Sequence, residues 1–472
     1  MLYSAQNYLL HTATFLLGMI LMSEPVSAQR KMDTVSIGIK AALDTAVANY
    51  PKIKAAQSDR YSAGEQLKSS QTAYIPTLQI QEQVTYGTAN SVVGQSFPNE
   101  GTAIPVSGGI TNSQNWNAAS SQFTTAVLTG PIYAFGKITA SINQRGAELK
   151  VADAVYQNEV FQHQIKVSES YLFLLVYQQL RQVQQQNLLR AIDVNNLIKA
   201  AVSSGLKPGI DSSFSAAEVS KAKITYLSSL RDEAEAQIKF GEYLGQTGHY
   251  YLVDTLGFNS SLPVANLAQS TINKNPLLGI YQGKIESDLF AAKAVRRSYL
   301  PTLKYLATTS ARGSGISSTD VYSSSFSDGM QFQRYNYMVG AYFLWNVTDI
   351  FRTGHEYKSR MFNVQRDNEL LDATTQRLNS QLENGNVQYG LSVQQAHEVP
   401  VQRQAATAGF NQSRARYQSG LGNLVELSQS LFLLARAEAD YSITYNNTWR
   451  ALLAVAAASG DMGLFLNAVR SK

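Results

Sequence analysis

The sequence predicts a mainly α-helical protein carrying a membrane β-barrel, built from one helix, hairpin, long helix, helix unit written twice. Three observations predict it. Short motifs recur at a nearly constant offset, two stretches alternate apolar and polar residues with period two, and two uninterrupted helical patterns cover about 138–203 and 354–418. Of 472 residues only 15% are charged and 44% are hydrophobic, with 26 tyrosines and no cysteine. A chain this rich in aromatics does not read as disordered. The missing cysteine excludes disulfides, thiol catalysis, thiolate metal sites and the residue on which a bacterial lipoprotein anchor is built. A formal net charge of +5 is too diffuse to imply nucleic acid.

Residues 1–28 read as a secretory signal: the apolar run Phe15–Met22 is followed by Ser23-Glu-Pro and the small-residue site Val26-Ser-Ala28, although the segment before the run has no Lys or Arg. A membrane-spanning anchor needs about 20 apolar residues, and this run is far shorter. No later stretch approaches such a helix, so membrane contact falls to β-strands.

The duplication divides the remainder into a first repeat over 29–245, a linker over 246–264 and a second repeat over 265–472. Asn49-Tyr-Pro51 recurs as Lys274-Asn-Pro276, and Ala73-Tyr-Ile-Pro-Thr-Leu78 as Ser298-Tyr-Leu-Pro-Thr-Leu303, both 225 residues on. Phe135-Gly-Lys137 aligns with Ile350-Phe-Arg352, Ser204-Gly-Leu206 with Ser419-Gly-Leu421, and Gly245 with Gly460, all 215 residues on. The change of offset places one length difference between residues 78 and 135 of the first repeat, where an exposed loop is expected.

Within each repeat a helix comes first, expected over 40–73 and 265–298 and ended by Pro76 and Pro301. A hairpin follows, over about 76–136 and 301–350. In its first strand Leu78, Ile80, Val84 and Tyr86 alternate with Gln79, Gln81, Gln83 and Thr85. A loop rich in Gly, Ser, Asn and Pro runs from Gly87 to Ser121, and the returning strand covers about 122–135. In the second hairpin Tyr335, Tyr337, Val339, Ala341, Phe343, Trp345 and Val347 share one face. Each hairpin leads into a long helix of roughly 100 Å at 1.5 Å per residue, then a Gly-Leu turn and a returning helix of half that length, near 212–244 and 424–459. Two short helices end to end match one long one, which suggests a rod of constant length. The apolar stripe Ile165, Leu172, Val176, Leu180, Val183 changes phase around His163, as packing against two successive neighbours requires.

Four strands cannot close a barrel, and an open sheet would present unpaired edges to lipid. The chain must therefore assemble with copies of itself, and eight, twelve or sixteen strands all satisfy the closure. Glu82 falls on the apolar face of its strand, which places it at a rim or subunit contact, unless a bulge turns it inward. Lys304 and Arg334 fall on the polar face, where they line the lumen and bias it toward anions, or meet lipid headgroups at the rim.

These features together resemble the TolC-like outer-membrane efflux proteins over essentially all of residues 35–465. The resemblance rests on the duplicated unit, the Tyr-x-Pro-Thr-Leu entries at 74–78 and 299–303, and the two Gly-Leu turns. It implies a homotrimer in which a 12-stranded β-barrel is continued by a long α-helical barrel across the periplasm of a Gram-negative bacterium. It also implies that the turns meet a periplasmic membrane-fusion adaptor coupled to an inner-membrane transporter, in drug efflux or type I secretion. On that resemblance Gly205, Leu206, Gly420 and Leu421 are candidate docking tips. Acidic residues six and nine positions after the second tip's glycine often narrow the pore in the family. Here those positions hold Glu426 and Gln429, so one of the two acids is absent, and Asp211 is the counterpart in the first tip. Local roles account for the same residues: the glycines as helix C-caps with Leu packed nearby, Asp211 as a helix N-cap, and Glu426 as a first-turn carboxylate.

Sites for chemistry are missing from the pattern. The five histidines are scattered without metal-ligand spacing, and neither a phosphate-binding Gly-Lys-Ser/Thr loop nor a G-x-S-x-G elbow occurs. The sequence therefore predicts no enzyme and no cofactor, and a passive conduit whose Gln, Ser and Thr lining does not specify a cargo. The competing reading is a secreted trimeric coiled-coil rod, structural or adhesive, without a lumen; it leaves the paired alternating strands unexplained.

Overall fold

A computed structural model describes residues 34–90, 113–254, 256–259, 261–265, 267 and 270–469. The signal expected over 1–28 lies outside the described residues. In chain order the elements are β1 (Thr34–Ile37), α1 (Ile39–Asn49), α2 (Pro51–Gln71), β2 (Thr77–Gly87), β3 (Ala119–Tyr133), α3 (Lys137–Ser203) and α4 (Gly209–Leu244). They continue as β4 (Tyr250–Val253), α5 (Leu256–Asn259), α6 (Pro276–Ser298), β5 (Thr302–Ser314), β6 (Arg334–Leu344), α7 (Asp349–Gln418), α8 (Leu424–Ser459) and α9 (Met462–Ala468).

Two expected helices are shorter than the sequence suggested. The one expected over 40–73 is broken into α1 and α2 at Tyr50, which is extended at φ −68°, ψ 122°. The one expected over 265–298 begins only at Pro276, after an equally extended Asn275. The cause is the same in both: a proline's ring disfavours the helical region for the residue before it, while its own fixed φ suits the first helical position. The expected linker 246–264 contains structure too, since β4 pairs in parallel with β1, from Thr34↔Tyr250 to Ile37↔Val253.

One sheet has the order β2-β3-β5-β6, antiparallel throughout. The connection between β2 and β3 is longer than the 315–333 connection between β5 and β6; its middle, 91–112, lies outside the described residues. Below the sheet the helices form a single wall. Toward the sheet the neighbours run α2, α3, α6, α7; toward the far end they run α4, α3, α8, α7. Each long helix thus spans two shorter ones stacked end to end.

The stacking points are built differently in the two repeats. In the first, the His163 ring of α3 stacks on Tyr50 with centroids 3.8 Å apart, and its Nε2–H donates to the Tyr243 carbonyl at 2.9 Å. In the second, Asn275 Oδ1 accepts from the Leu277 N–H while its Nδ2 donates to the Ala457 and Ala458 carbonyls. One side chain caps the start of α6 and the end of α8. A Cβ on Gly460 would lie 2.3 Å from the Asn275 Cα, so only glycine lets these ends meet, and its φ of +80° suits a glycine as well. Beside these joints lies the main core, where Tyr171, Phe240, Tyr251, Phe258, Trp449 and Phe465 are all buried. The β1–β4 pair ties across it, with Gln178 and Gln237 both donating to the Tyr251 carbonyl. A second core, containing Ile198, Phe410, Tyr417, Leu424, Leu427 and Leu431, holds the far end together. Among the described residues no helix is long and apolar enough to cross a membrane.

Candidate functional site: two sheet faces and two helical tips

The register decides which side chains share a face. Leu78 is opposite Leu128, Ile80 opposite Ala126, and these continue to Ala307, Thr309, Tyr337 and Val339, an apolar face. The other face carries Thr77, Gln79, Gln81, Gln83 and Thr85, followed by Thr125, Thr308, Ser310 and Asn336. Glu82 is on the apolar face. The β2–β3 register runs unbroken from Thr77 to Gly87, so the bulge that could have turned Glu82 inward is absent. Its carboxylate is satisfied within the sheet, by Gln122 Nε2 at 2.7 Å and by the Thr124 hydroxyl. β2 is an edge strand, so Glu82 stands at an open side of the sheet.

Lys304 and Arg334 share the glutamine face, but at opposite ends of the sheet. Lys304 is half-buried near the strand-to-helix joint. Burial lowers the pKa of neighbouring Lys137; Asp349 opposes that shift and the charge of Lys304 adds to it. Arg334 opens β6 at the far rim, directly opposite Arg312 of β5. Arg312 escaped the sequence reading, although it follows Lys304 by an even number of positions and so had to share its face.

At the other end of the molecule the tips are two helix-ending turns of one type. Gly205 has φ +74° and Gly420 φ +78°; Leu206 N–H returns to the Ala201 carbonyl and Leu421 N–H to that of Arg416. This is the Schellman arrangement, in which a left-handed residue lets the last orphan carbonyls of a helix be satisfied. Leu206 and Leu421 are each 76% exposed. They are not packed locally, which corrects that reading of them. The two tips touch: the Lys207 ammonium lies 4.9 Å from the centre of the Tyr417 ring, and the Tyr417 hydroxyl donates to Asp211 Oδ2 at 3.3 Å.

Asp211 is not an N-cap. Pro208 occupies that position in α4, and Asp211 lies in the first turn with its N–H on the Pro208 carbonyl. Burial, reinforced by the Asp211 charge, raises the pKa of Tyr417, which keeps its hydroxyl a donor. Glu426 is a first-turn residue of α8, its N–H held by the Asn423 cap at 2.8 Å, and both Glu426 and Gln429 are exposed. Among the described residues no cluster of three or more His, Asp or Glu side chains could hold a metal ion.

No protein-family model and no curated protein sequence matches the chain. Solved structures do. CusC, described in a study of folding and transmembrane channel formation, superimposes with a TM-score of 0.73 at 12% identity, over 90% of this chain and 92% of its own. The CmeC outer membrane channel of Campylobacter jejuni gives 0.72 at 12% identity, over 89% and 85%. The outer membrane protein VceC of Vibrio cholerae gives 0.70 at 12% identity, over 90% and 96%. The chain has the TolC-like channel fold.

Within the TolC-like fold, the predicted site residues separate into three groups. Gly205, Leu206, Gly420, Leu421 and Asp211 come together at one end, where Glu426 lies in the first turn of α8 and Gln429 in the turn after it. Lys304 stands at the joint of sheet and helices, and Arg334 at the far rim with Arg312. The Lys207–Tyr417–Asp211 contact was not legible, because it joins residues about 200 positions apart through tertiary packing alone.

Proposed function

We propose that the protein is one protomer of an outer-membrane exit duct: three copies close a 12-stranded barrel in the outer membrane of a Gram-negative bacterium and continue it as a helical tube across the periplasm. One observation carries this reading. At every level the chain leaves the same two sides open: β2, α2 and α4 on one side, β6 and α7 on the other. A surface that pairs one side with the other is head-to-tail, and it ends only by closing into a ring. β6 runs antiparallel to β2, so the sheet continues across such a junction without a break in pattern. Strands β2 and β6 have 11 residues each, the length of a tilted membrane-spanning strand. The apolar face then meets lipid and the glutamine face lines water.

The helices α3 and α7, of 67 and 70 residues, reach roughly 100 Å from the membrane. The exposed Leu206 and Leu421 at their ends are suited to dock on a periplasmic adaptor, which would couple this passive duct to an energised inner-membrane transporter of an efflux or type I secretion system. A lumenless rod accounts for the helices but not for a four-stranded sheet with one apolar and one polar face. Purified protein in planar bilayers is expected to give discrete conductance steps and to run as a detergent-stable trimer. A protein found soluble in the periplasm and silent in bilayers refutes the duct.

A further inference from the structure

Polar side chains interrupt the apolar face of the sheet, and the register shows that they are not scattered. Starting at the helices, its rows hold Leu303 and Phe343, then Tyr305 and Ala341, then Leu78, Leu128, Ala307 and Val339, then Ile80, Ala126, Thr309 and Tyr337. Glu82, Thr124, Ala311 and Tyr335 follow, then Val84, Gln122 and Gly313, and last Tyr86 and Ser120. Glu82, Thr124, Gln122 and Ser120 therefore fall in the three rows farthest from the helices. From Leu303 to Ala311 the face covers about 20 Å along the axis of a barrel whose strands tilt by about 40°, close to the apolar band of about 25 Å found on membrane barrels. The band thus ends at the Glu82 row, which accounts for a carboxylate on that face.

The connection between β5 and β6 folds onto these uppermost rows. It first continues β5 as a short hairpin, in which the Ser317 N–H donates to the Val321 carbonyl and Ile316 pairs with Tyr322. The chain then turns back over the sheet. Ser120, 1% exposed, donates its hydroxyl to the Phe326 carbonyl at 2.7 Å. A Cβ on Gly329 would overlap the Ser120 carbonyl, and one on Gly313 the carbonyls of Gly329 and Gln331, so these two glycines let the segment lie directly on the strands. Gly313 and Ser120 belong to the apolar face by register, which fixes the side on which the segment lies. Phe326 and Phe332 are exposed on it, and the Phe332 ring stands 6.3 Å from that of Tyr335 on the same face. Aromatic rings at the level where an apolar band gives way to polar residues mark the boundary between acyl chains and headgroups.

We propose that residues 326–332 form an interfacial apron: clasped to the outside of the barrel rim, it lays Phe326 and Phe332 beside Tyr335 into the headgroup boundary of the outer leaflet and fixes how deep the barrel sits. This rests on the duct reading, which makes the apolar face the lipid-facing one. The apron reaches across β5 to β3 in the middle of the sheet, whereas copies in the ring meet at β2 and β6, so its partner is lipid and not a second copy.

The test is depth-dependent quenching. The chain has no cysteine, so a single one can be labelled with an environment-sensitive fluorophore. Phe332→Cys, Val339→Cys in the middle of the band and Thr319→Cys at the hairpin tip are each reconstituted in phosphatidylcholine vesicles brominated either near the top or deep in the acyl chains. The label at 332 is expected to lose most of its fluorescence to the shallow bromines and little to the deep ones. The label at 339 should be quenched chiefly by the deep ones, and the label at 319 should stay bright with both. A label at 332 that stays as bright as that at 319 while 339 is quenched overturns the apron and leaves the duct intact. Equal quenching of 332 and 339 by the deep bromines overturns it too, because the segment would then lie inside the band. A label at 339 that no bromine quenches overturns the barrel itself, and the apron with it.

Discussion

At the scale of single residues, the two tips separate folding from function cleanly. Nothing lies within 4 Å of where a Cβ on Gly205 or Gly420 would stand, so the requirement for glycine there comes from the positive φ alone. An L-residue in that conformation costs about 1–2 kcal/mol, with a β-branched side chain at the upper end or beyond. Gly420→Ala should therefore lower the thermal midpoint slightly, and Gly420→Val clearly more; equal effects would remove the conformational explanation. Leu421 is the opposite case. Its side chain is exposed, and exposed substitutions away from special features usually stay within about 0.5 kcal/mol. Leu421→Asp is expected to leave trimer and secondary structure unchanged and to abolish transport, measured as drug susceptibility or secretion in cells. Transport that survives both Leu421→Asp and Leu206→Asp rules out docking through these knobs. Both glycines were legible as helix ends in the sequence. Exposed leucines were one of the two readings the sequence allowed, since the Schellman turn commonly packs that position back on its own helix, and their exposure decides between the two.

At the scale of elements, the long helices were legible because a heptad-like stripe persists over many turns, and the phase change at His163 correctly marked where α3 exchanges one neighbour for another. The helix breaks at Tyr50 and Asn275 were written in the following prolines but outweighed by helix-forming composition. Strands β1 and β4 were missed for a physical reason: four residues show no period, and each finds its partner some 200 positions away. The joint at His163 makes a prediction about pH. Burial is the largest influence on this imidazole and lowers its pKa from the usual 6.5, only partly countered by the hydrogen bond to the Tyr243 carbonyl. The folded protein therefore binds this proton less readily than the unfolded chain. Stability from this group is complete above about pH 7, declines as the pH falls through 6.5, and levels off below the folded-state value. His163→Phe keeps a ring for Tyr50 to stack on but cannot titrate. Its thermal midpoint should fall less between pH 7 and pH 5 than that of the wild type, and parallel pH profiles would show that His163 is not the group responsible.

At the scale of the whole molecule, the duplication and the alternating strands made the architecture legible, while the surface between copies was not, since it exists only once each wall has a fixed lateral order. That order leaves α4 and α7 as the open sides near the tips. Ile224, Leu227 and Ile238 are exposed on α4 although apolar, and their spacing places them on one side of the helix. Val387, Leu391 and Val401 are exposed in the same way on α7. At 1.5 Å per residue from the tips, Ile224, Leu227 and Val401 all stand about 25 Å up, and Ile238, Leu391 and Val387 all about 40–47 Å up. Two apolar stripes at matching heights on the two open sides are what a head-to-tail seam requires, and burying them would offset part of the entropy lost in assembly. Because the chain contains no cysteine, the seam can be probed without removing any native thiol. Ile238→Cys combined with Leu391→Cys should give disulfide-linked dimers and trimers on oxidation, resolved on a non-reducing gel. Ile238→Cys combined with Val401→Cys should not, since those positions differ by roughly 20 Å in height and a disulfide needs Cα atoms within about 7 Å. Cross-linking by both pairs alike, or by neither, would mean that α4 and α7 do not meet in this register, and the closed ring would need a different seam.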